Sequence, residues 1–146
     1  MAKVTKIGIS PVAGKKVIKV KSANAIAGKG LENDRFYKNN NSVTSQLTLI
    51  EKENIDDINK LFSTSIPYED FRRNIITEGI KLNNLINKEI LIGEVKVKVH
   101  LLCEPCKHLQ DILNQKNLVK NLIHKGGLRC EILTSGKISI GNIIKC

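Results

Sequence analysis

The chain has 146 residues, 41% of them hydrophobic and 26% charged, which is enough for one domain with its own core and excludes a disordered chain. Aromatic residues make up only 3%, which disfavours a single-stranded nucleic-acid reader that stacks bases on aromatic side chains. The net charge of +10 favours an anionic ligand. Because no basic run or recognition-helix pattern accompanies that charge, we expect no specific nucleic acid partner.

No apolar run reaches the ~18 residues that a membrane helix needs, and the N-terminal residues show no signal-peptide pattern. We therefore expect a single domain over residues 1–146, located in the cytoplasm and without a membrane partner. In that compartment the four cysteines are expected to be free thiols, a redox pair or metal ligands rather than a disulfide framework.

Short alternating or β-branched segments, separated by glycine-containing turns, predict strands along most of the chain. This pattern is typical of an antiparallel sheet or barrel. The predicted strands lie around Ile7 and Ile9 and at 16–20, 46–50, 73–77, 88–92, 94–101, 128–134 and 137–145.

Apolar residues at helical spacing predict only three helices, at 51–62, 106–115 and 117–125, the last one ended by Gly126 and Gly127. Strands therefore dominate. We predict a mostly β domain, a distorted closed barrel with a few short peripheral helices, rather than a doubly wound sheet.

The first segment that could carry chemistry is a C-x-x-C formed by Cys103 and Cys106. Pro105 favours the start of a helix, so Cys106 is expected in its first turn, where free N–H groups and Lys107 stabilise a thiolate. Such a thiol suits a nucleophile, a sulfur carrier or a soft-metal ligand. Two partly buried thiols at a strand–helix corner would explain the same spacing without chemistry.

Zinc is an alternative for this region because several possible ligands follow one another in the sequence. The expected second C-x-x-C or H-x-x-x-H is absent, however, and a thioredoxin-like dithiol lacks the βαβ pattern that would surround it. The possible zinc ligands are His100, Cys103, Cys106, His108, His124 and Cys130.

Two further segments suit an anion and a heterocycle. A glycine-rich loop at 27–36 ends in Asp34 and Arg35, and a guanidinium gives bidentate contacts to a phosphate. Arg72, Arg73 and Asn74 enter a predicted strand, whose alternation allows only one of the two arginines to face a pocket inside the barrel. The alternatives are a hairpin loop with a surface ion pair and a solvated charge cluster.

In this order, these segments resemble the MOSC domain, which is named for the C-terminal part of molybdenum cofactor sulfurases. Three of the family's patterns, G-[IL]-E-G-D-R, Q-[VL]-[ST]-L-[IL] and R-x-N-[IV]-x-x-x-G, resemble residues 30–35, 46–50 and 72–79. The patterns P-C-x-x-L and the closing G-G-to-G-[DN]-x-[IV] resemble residues 105–109 and 126–144. Asn33, Phe36 and Asn142 depart from the usual Gly, His and Asp.

The resemblance implies a barrel related to the pyruvate kinase β-domain, with a pocket for a molybdopterin-type pyranopterin that carries molybdenum or tungsten. By position Cys106 is the cysteine that ligates the metal or carries a persulfide sulfur. Lys21, Ser22 and Arg35 are expected to hold the phosphate of the cofactor. Arg73 (or Arg72) and Asn74 are expected to hold its heterocycle.

Three functions follow as hypotheses. The first is binding of the molybdenum cofactor with sulfur or metal handled at Cys106, which implies a sulfur-donor protein. The second is a molybdenum-dependent reductase of N-hydroxylated substrates, which implies a separate electron-donor protein because no flavin or ferredoxin motif is present. The third is a non-catalytic, basic binding module held together by zinc.

Overall fold

The computed structural model describes all 146 residues and consists of eleven strands and three α-helices. Two short 3-10 helices, Tyr68–Phe71 and Leu82–Leu85, precede and follow the sixth strand. The strands are β1 (Lys3–Ile9), β2 (Ile18–Val20), β3 (Ser22–Ile26), β4 (Gly30–Leu31), β5 (Leu47–Glu51), β6 (Ile75–Glu78), β7 (Glu89–Ile92), β8 (Val95–Leu102), β9 (Leu128–Ile132), β10 (Gly136–Ser139) and β11 (Ile144–Lys145); the helices are α1 (Lys52–Phe62), α2 (Lys107–Leu113) and α3 (Leu118–Leu122).

Eight strands form one curled sheet in the order β11-β7-β8-β9-β5-β6-β1-β2, and β10, β3 and β4 form a second sheet. The turn before β11 brings the β11 end of the large sheet to β1, the strand next to the other end. There, Val4 N–H donates to the Asn142 carbonyl at 2.9 Å and Ile144 N–H donates to the Ala2 carbonyl at 3.0 Å. These bonds connect the β11 end of the sheet to β1, so the prediction of a distorted β-barrel is confirmed.

Aliphatic side chains fill the interior of the barrel. Alternate residues of each strand point inward, as Leu47 and Leu49 do in β5 and as Leu128, Cys130 and Ile132 do in β9. All of these are essentially inaccessible to solvent. The interior is therefore a packed core and leaves no room for a ligand.

A second cluster covers the outer face of β5 and β6. Ile50 and Ile76 point away from the barrel interior and pack with Phe71 and with apolar residues of all three α-helices. The helices shield this part of the sheet from water, as the prediction of a few peripheral helices requires. No helix has the length and apolar composition needed to cross a bilayer.

The largest differences between the predicted and the observed elements lie at three places. β3 and β4 were not predicted, because β3 is a run of small residues without a β-branched pattern. The predicted strand at 137–145 is two strands, since Gly141 adopts φ +92 and turns the chain between them. α2 and α3 are shorter than predicted, and each is preceded or followed by left-handed asparagine residues.

Candidate functional site

A cavity of about 190 Å³ lies on the outer face of the large sheet, between β5, β9 and the start of α2. One water needs roughly 10–15 Å³ by the same measure, so this cavity can take a ligand. Thr48 and Arg129 line it because they alternate with residues that point into the core. The expectation of a pocket inside the barrel is thus wrong, since aliphatic side chains occupy that space.

All four arginines of the chain line this one cavity, although lysine is five times more abundant in the sequence. None of the twenty lysines lines it, and no arginine lies within 4.0 Å of a carboxylate. A guanidinium offers planar, bidentate hydrogen bonding that an ammonium cannot replace. The four guanidinium groups of Arg35, Arg72, Arg73 and Arg129 give this cavity the positive charge that suits an anion.

Asp34 is the one acidic residue that lines the cavity, and its carboxylate is bonded to backbone groups. Its Oδ1 accepts a hydrogen bond from Ser10 N–H at 2.8 Å and its Oδ2 accepts one from Phe36 N–H at 3.4 Å. Arg35 instead stacks on Phe36, with its guanidinium carbon 4.1 Å from the ring centre. Asp34 therefore fixes the loop, and the Arg35 side chain stays free of an acidic partner.

Arg72 and Arg73 both line the cavity, so the prediction that only one of them could do so is wrong. That prediction assumed strand alternation, but the strand begins at Ile75 and Arg72 adopts a left-handed conformation with φ 64 at the end of a 3-10 helix. Arg72 is partly exposed and donates to the Lys15 carbonyl at 3.0 Å. The turn at Arg72 is what brings both guanidinium groups to the same side.

The hydrogen-bonding groups of Arg73 and Asn74 are largely used within the protein. The Asn74 amide oxygen accepts from Thr48 N–H at 3.1 Å, and its amide nitrogen donates to the Gly8 carbonyl at 3.1 Å. Four hydrogen bonds join Arg73 to backbone carbonyls, which leaves one of its five N–H groups for a ligand. Burial lowers the pKa of the Arg73 guanidinium from its usual value, and the Cys103 thiol opposes this shift.

Cys106 is exposed at the edge of the cavity, whereas Cys103 is 97% buried. Cys106 is the N-cap residue of α2, one position before the helix begins, and His108 in the first turn lines the cavity beside it. Between the two cysteines, Glu104 binds His124 with both carboxylate oxygens, at 2.6 Å to the backbone N–H and 2.7 Å to Nδ1. Both cysteines therefore line the cavity, but only the Cys106 thiol is also exposed to solvent.

Of the possible zinc ligands, Cys103, Cys106 and His108 line the cavity, whereas His100, His124 and Cys130 do not. His100 is paired with Glu131, with 2.9 Å between Nε2 and Oε1, and Cys130 lies in the core, where burial raises the pKa of its thiol to about 12. No group of three or more His, Cys, Asp or Glu side chains is arranged to hold a metal. A zinc site of this kind therefore has no support in the geometry.

Comparison with known proteins agrees with this architecture. The family model described as the MOSC domain matches residues 36–145. The chain belongs to the MOSC domain family. No curated protein matches the chain in sequence.

Several solved structures share the fold of this MOSC domain. The YuaD protein from Bacillus subtilis matches with a TM-score of 0.82 at 15% identity, over 99% of this chain and 94% of that chain. YiiM from Geobacillus stearothermophilus matches with a TM-score of 0.81 at 14% identity, over 99% and 74% of the two chains. YiiM from Escherichia coli matches with a TM-score of 0.72 at 19% identity, over 99% and 69%.

The structure brings four of the six predicted site residues of this MOSC domain to one cavity: Arg35, Arg73, Asn74 and Cys106. It does not bring Lys21 and Ser22 there. The chain turns at Lys21 from the large sheet into β3, and Ser22 lines a second cavity of about 280 Å³ together with Glu32 and Lys137. Lys21, Ser22 and Arg35 all lie outside the matched range 36–145.

The sequence pattern assigns no site role to the cavity residues Arg129 and Thr48, and it places His108 only among the possible zinc ligands. Arg129 stands between Leu128 and Cys130 in a predicted strand, so alternation alone places it outside the core. The scarcity of arginine in a lysine-rich chain is a signal that could have identified it, because each of the few guanidinium groups is then a candidate ligand.

Proposed function

We propose that the cavity binds a molybdopterin-type cofactor and that Cys106 holds its metal or a transferable sulfur. The MOSC domain family is commonly related to the molybdenum cofactor. The observation that carries the proposal for this chain is the gathering of all four arginines around a cavity that has an exposed thiol at its edge.

The donor groups fit the chemical parts of such a cofactor. A pyranopterin has a terminal phosphate, a hydrogen-bonding heterocycle and a soft metal–sulfur centre. The guanidinium groups of Arg35, Arg72 and Arg129, none of which is paired with a carboxylate, suit the phosphate, because arginine forms charge-assisted, bidentate bonds with it. The Cys106 thiol suits molybdenum or tungsten, or a sulfur atom that is passed on.

The heterocycle would meet fewer donors than the sequence suggested. Arg73 and Asn74 each keep one N–H group after their bonds to the protein, so together they can offer two donors to a ring edge. Lys21 and Ser22 lie outside the cavity, and their part in the phosphate site stays a prediction. When bound, the cofactor supplies a metal–sulfur centre next to the Cys106 thiol.

In the first mode of action, Cys106 holds sulfur or metal while the cofactor is bound, and a separate protein donates the sulfur. The second candidate is reduction of N-hydroxylated compounds. The position of His108 at the same cavity as Cys106 favours it, because an imidazolium can deliver one of the two protons that two-electron reduction of an N–O bond consumes. In that case a separate protein supplies the electrons.

The experiment is purification of the chain from a host that makes the cofactor, followed by assay of pterin, molybdenum, tungsten and zinc. Pterin should accompany the wild-type protein. Arg129→Lys keeps the positive charge but loses the bidentate hydrogen bonding of the guanidinium. Pterin content should therefore fall roughly tenfold, the change in affinity expected when one charge-assisted hydrogen bond is lost.

Lys137→Ala is the matched control, because it removes a positive charge from the second cavity and should leave pterin content unchanged. Lys21→Ala tests the remaining prediction for the phosphate site. A wild-type protein without pterin, or an Arg129→Lys protein with the wild-type amount, would contradict the proposal.

A further inference from the structure

Arg73 differs from the other cavity arginines in how its guanidinium is used. Only 9% of the residue is exposed, and no carboxylate lies within 4.0 Å of it. Its Nε donates to the Gly126 carbonyl at 2.8 Å, and its Nη2 donates to the carbonyls of Cys103 and Glu104 at 3.1 and 3.4 Å. A buried cation whose partners are main-chain carbonyls organises backbone, and this one faces the segment that carries the thiols.

The segment from Cys103 to Pro105 is held against residues 126 and 127 from a second side. Cys103 N–H donates to the Gly127 carbonyl at 2.7 Å, and the Gly126 α-carbon lies against the Cys103 carbonyl so closely that a β-carbon would overlap it. The Arg73 guanidinium therefore donates hydrogen bonds to both sides of this contact, to the Cys103 carbonyl on one side and to the Gly126 carbonyl on the other.

We infer that Arg73 is a positioning residue, which acts on Cys106 by fixing the main chain of residues 103–105 immediately before it. The role of Cys106 itself rests on the proposed function. Lysine cannot replace arginine here, because one ammonium cannot reach carbonyls that the guanidinium contacts through Nε, Nη1 and Nη2 in different directions. A positive charge alone is therefore not enough to fix the main chain of residues 103–105.

The four cysteines of the chain provide the test. Cys146 is exposed and serves as a reference, Cys106 is the site thiol, Cys103 reports on the segment, and Cys130 reports on the core. Alkylation by iodoacetamide is followed residue by residue by mass spectrometry on the protein without cofactor. In the wild type Cys103 and Cys130 should be protected relative to Cys146.

In Arg73→Gln and in Arg73→Lys, alkylation of Cys103 should rise roughly ten- to hundredfold, the change in local opening expected when one or two charge-assisted hydrogen bonds are lost. Cys130 should stay protected in both variants. Arg72→Lys is the matched control, since the Arg72 guanidinium donates to the Lys15 carbonyl and the Ser10 hydroxyl and not to residues 103–105, and Cys103 should stay protected there.

Three results would overturn the inference: Cys103 protected in Arg73→Gln, Cys103 protected in Arg73→Lys but not in Arg73→Gln, or Cys103 and Cys130 exposed together in both variants. The second would mean that charge suffices, and the third that Arg73 supports the whole fold. A further readout is the metal content per bound pterin, which should fall in Arg73→Lys. The alkylation result does not need cofactor, so it remains interpretable if the proposed function fails.

Discussion

The α-carbon of Gly127 packs against the carbonyl group of Leu49, so closely that a β-carbon at residue 127 would overlap the carbonyl oxygen. Gly127 also has φ +106, a conformation that residues with a side chain rarely adopt. This contact lets the chain pass from α3 into β9 directly against β5, and it places the Gly126 carbonyl where Arg73 binds it.

Gly127→Ala is therefore expected to destabilise the protein by about 3 kcal/mol or more, because overpacking adds to the backbone strain. Gly14→Ala is the control. Gly14 also has positive φ, but a β-carbon there would meet nothing within 4 Å, so only the strain of roughly 1–2 kcal/mol remains. Urea unfolding measures the stability of both variants. Equal losses in the free energy of unfolding would show that overlap with Leu49 does not add to the backbone strain.

Asp34 gives a second stability prediction. Its removal in Asp34→Ala leaves the Ser10 N–H without its acceptor, and we expect a loss of about 1–3 kcal/mol in the free energy of unfolding. Asp34→Asn keeps an acceptor oxygen and should lose less, while Glu32→Ala, on the exposed side of the same loop, should stay within roughly 0.5 kcal/mol. An Asp34→Asn protein as unstable as Asp34→Ala would contradict the assigned bond.

Cys130 gives a prediction for the effect of pH. Its pKa is raised to about 12 by burial, whereas an unfolded thiol releases its proton near pH 8.5. Between these values the folded state binds more protons than the unfolded state, so the free energy of unfolding falls as pH rises. At pH 10 the Cys130 thiol alone should lower the free energy of unfolding by about 2 kcal/mol.

Urea unfolding between pH 7.5 and 10 measures this effect when the wild type is compared with Cys130→Ala. The variant starts from a lower stability but should lose less of it as the pH rises, by about 1.4 kcal/mol per pH unit above pH 8.5. Parallel pH profiles would show that Cys130 ionises as easily in the folded protein as in the unfolded one.

The net charge predicts only weak contact with nucleic acid. The lysines are dispersed along the sequence, the arginines line a cavity, and aromatic residues make up only 3% of the chain, which disfavours a dedicated nucleic-acid surface. Binding to any duplex should be detectable at low salt and fall steeply as salt rises. Sequence-selective binding that persists at physiological salt, measured by fluorescence anisotropy, would contradict this prediction.

Much of the fold could be predicted because apolar and polar residues alternate clearly along several strands. In β8, Val95, Val97 and Val99 face the core, and the amphipathic stripe of α1 packs Ile55 and Ile58 against the outer face of the sheet. β3 could not be predicted in the same way. Its residues are mostly small and lack a β-branched pattern, and its pairing with β10 joins segments more than a hundred residues apart.

The site was harder to predict than the fold, for two physical reasons. One is backbone geometry. The prediction of a single cavity arginine assumed that the side chains of Arg72 and Arg73 alternate along a strand, but Arg72 has a left-handed conformation and lies outside the strand. The other is long-range contact. Neither the bonds of Arg73 to carbonyls around residues 103 and 126 nor the placement of Ser22 in a different cavity is encoded in a local pattern.

Cys106 could be identified because its signal is local: a proline, a cysteine and the start of an amphipathic helix stand next to one another. In the structure α2 begins at Lys107, one residue later than predicted, so Cys106 is its N-cap and not part of its first turn. Cys106 is exposed, whereas Cys103 is buried. The two thiols of the C-x-x-C are therefore inequivalent in the folded protein, and we expect their substitutions to differ in effect.

The amount of metal and sulfane sulfur per bound pterin, compared among the wild type, Cys106→Ser and Cys103→Ser, tests the central claim most directly. All three proteins are purified from a host that makes the cofactor. Pterin should be present in each, because the arginines that bind it are intact, and metal or sulfane sulfur per pterin should be lost only in Cys106→Ser. Equal loss in Cys103→Ser, or a Cys106→Ser protein that keeps the wild-type ratio, would contradict the assignment of Cys106 as the residue that holds metal or sulfur.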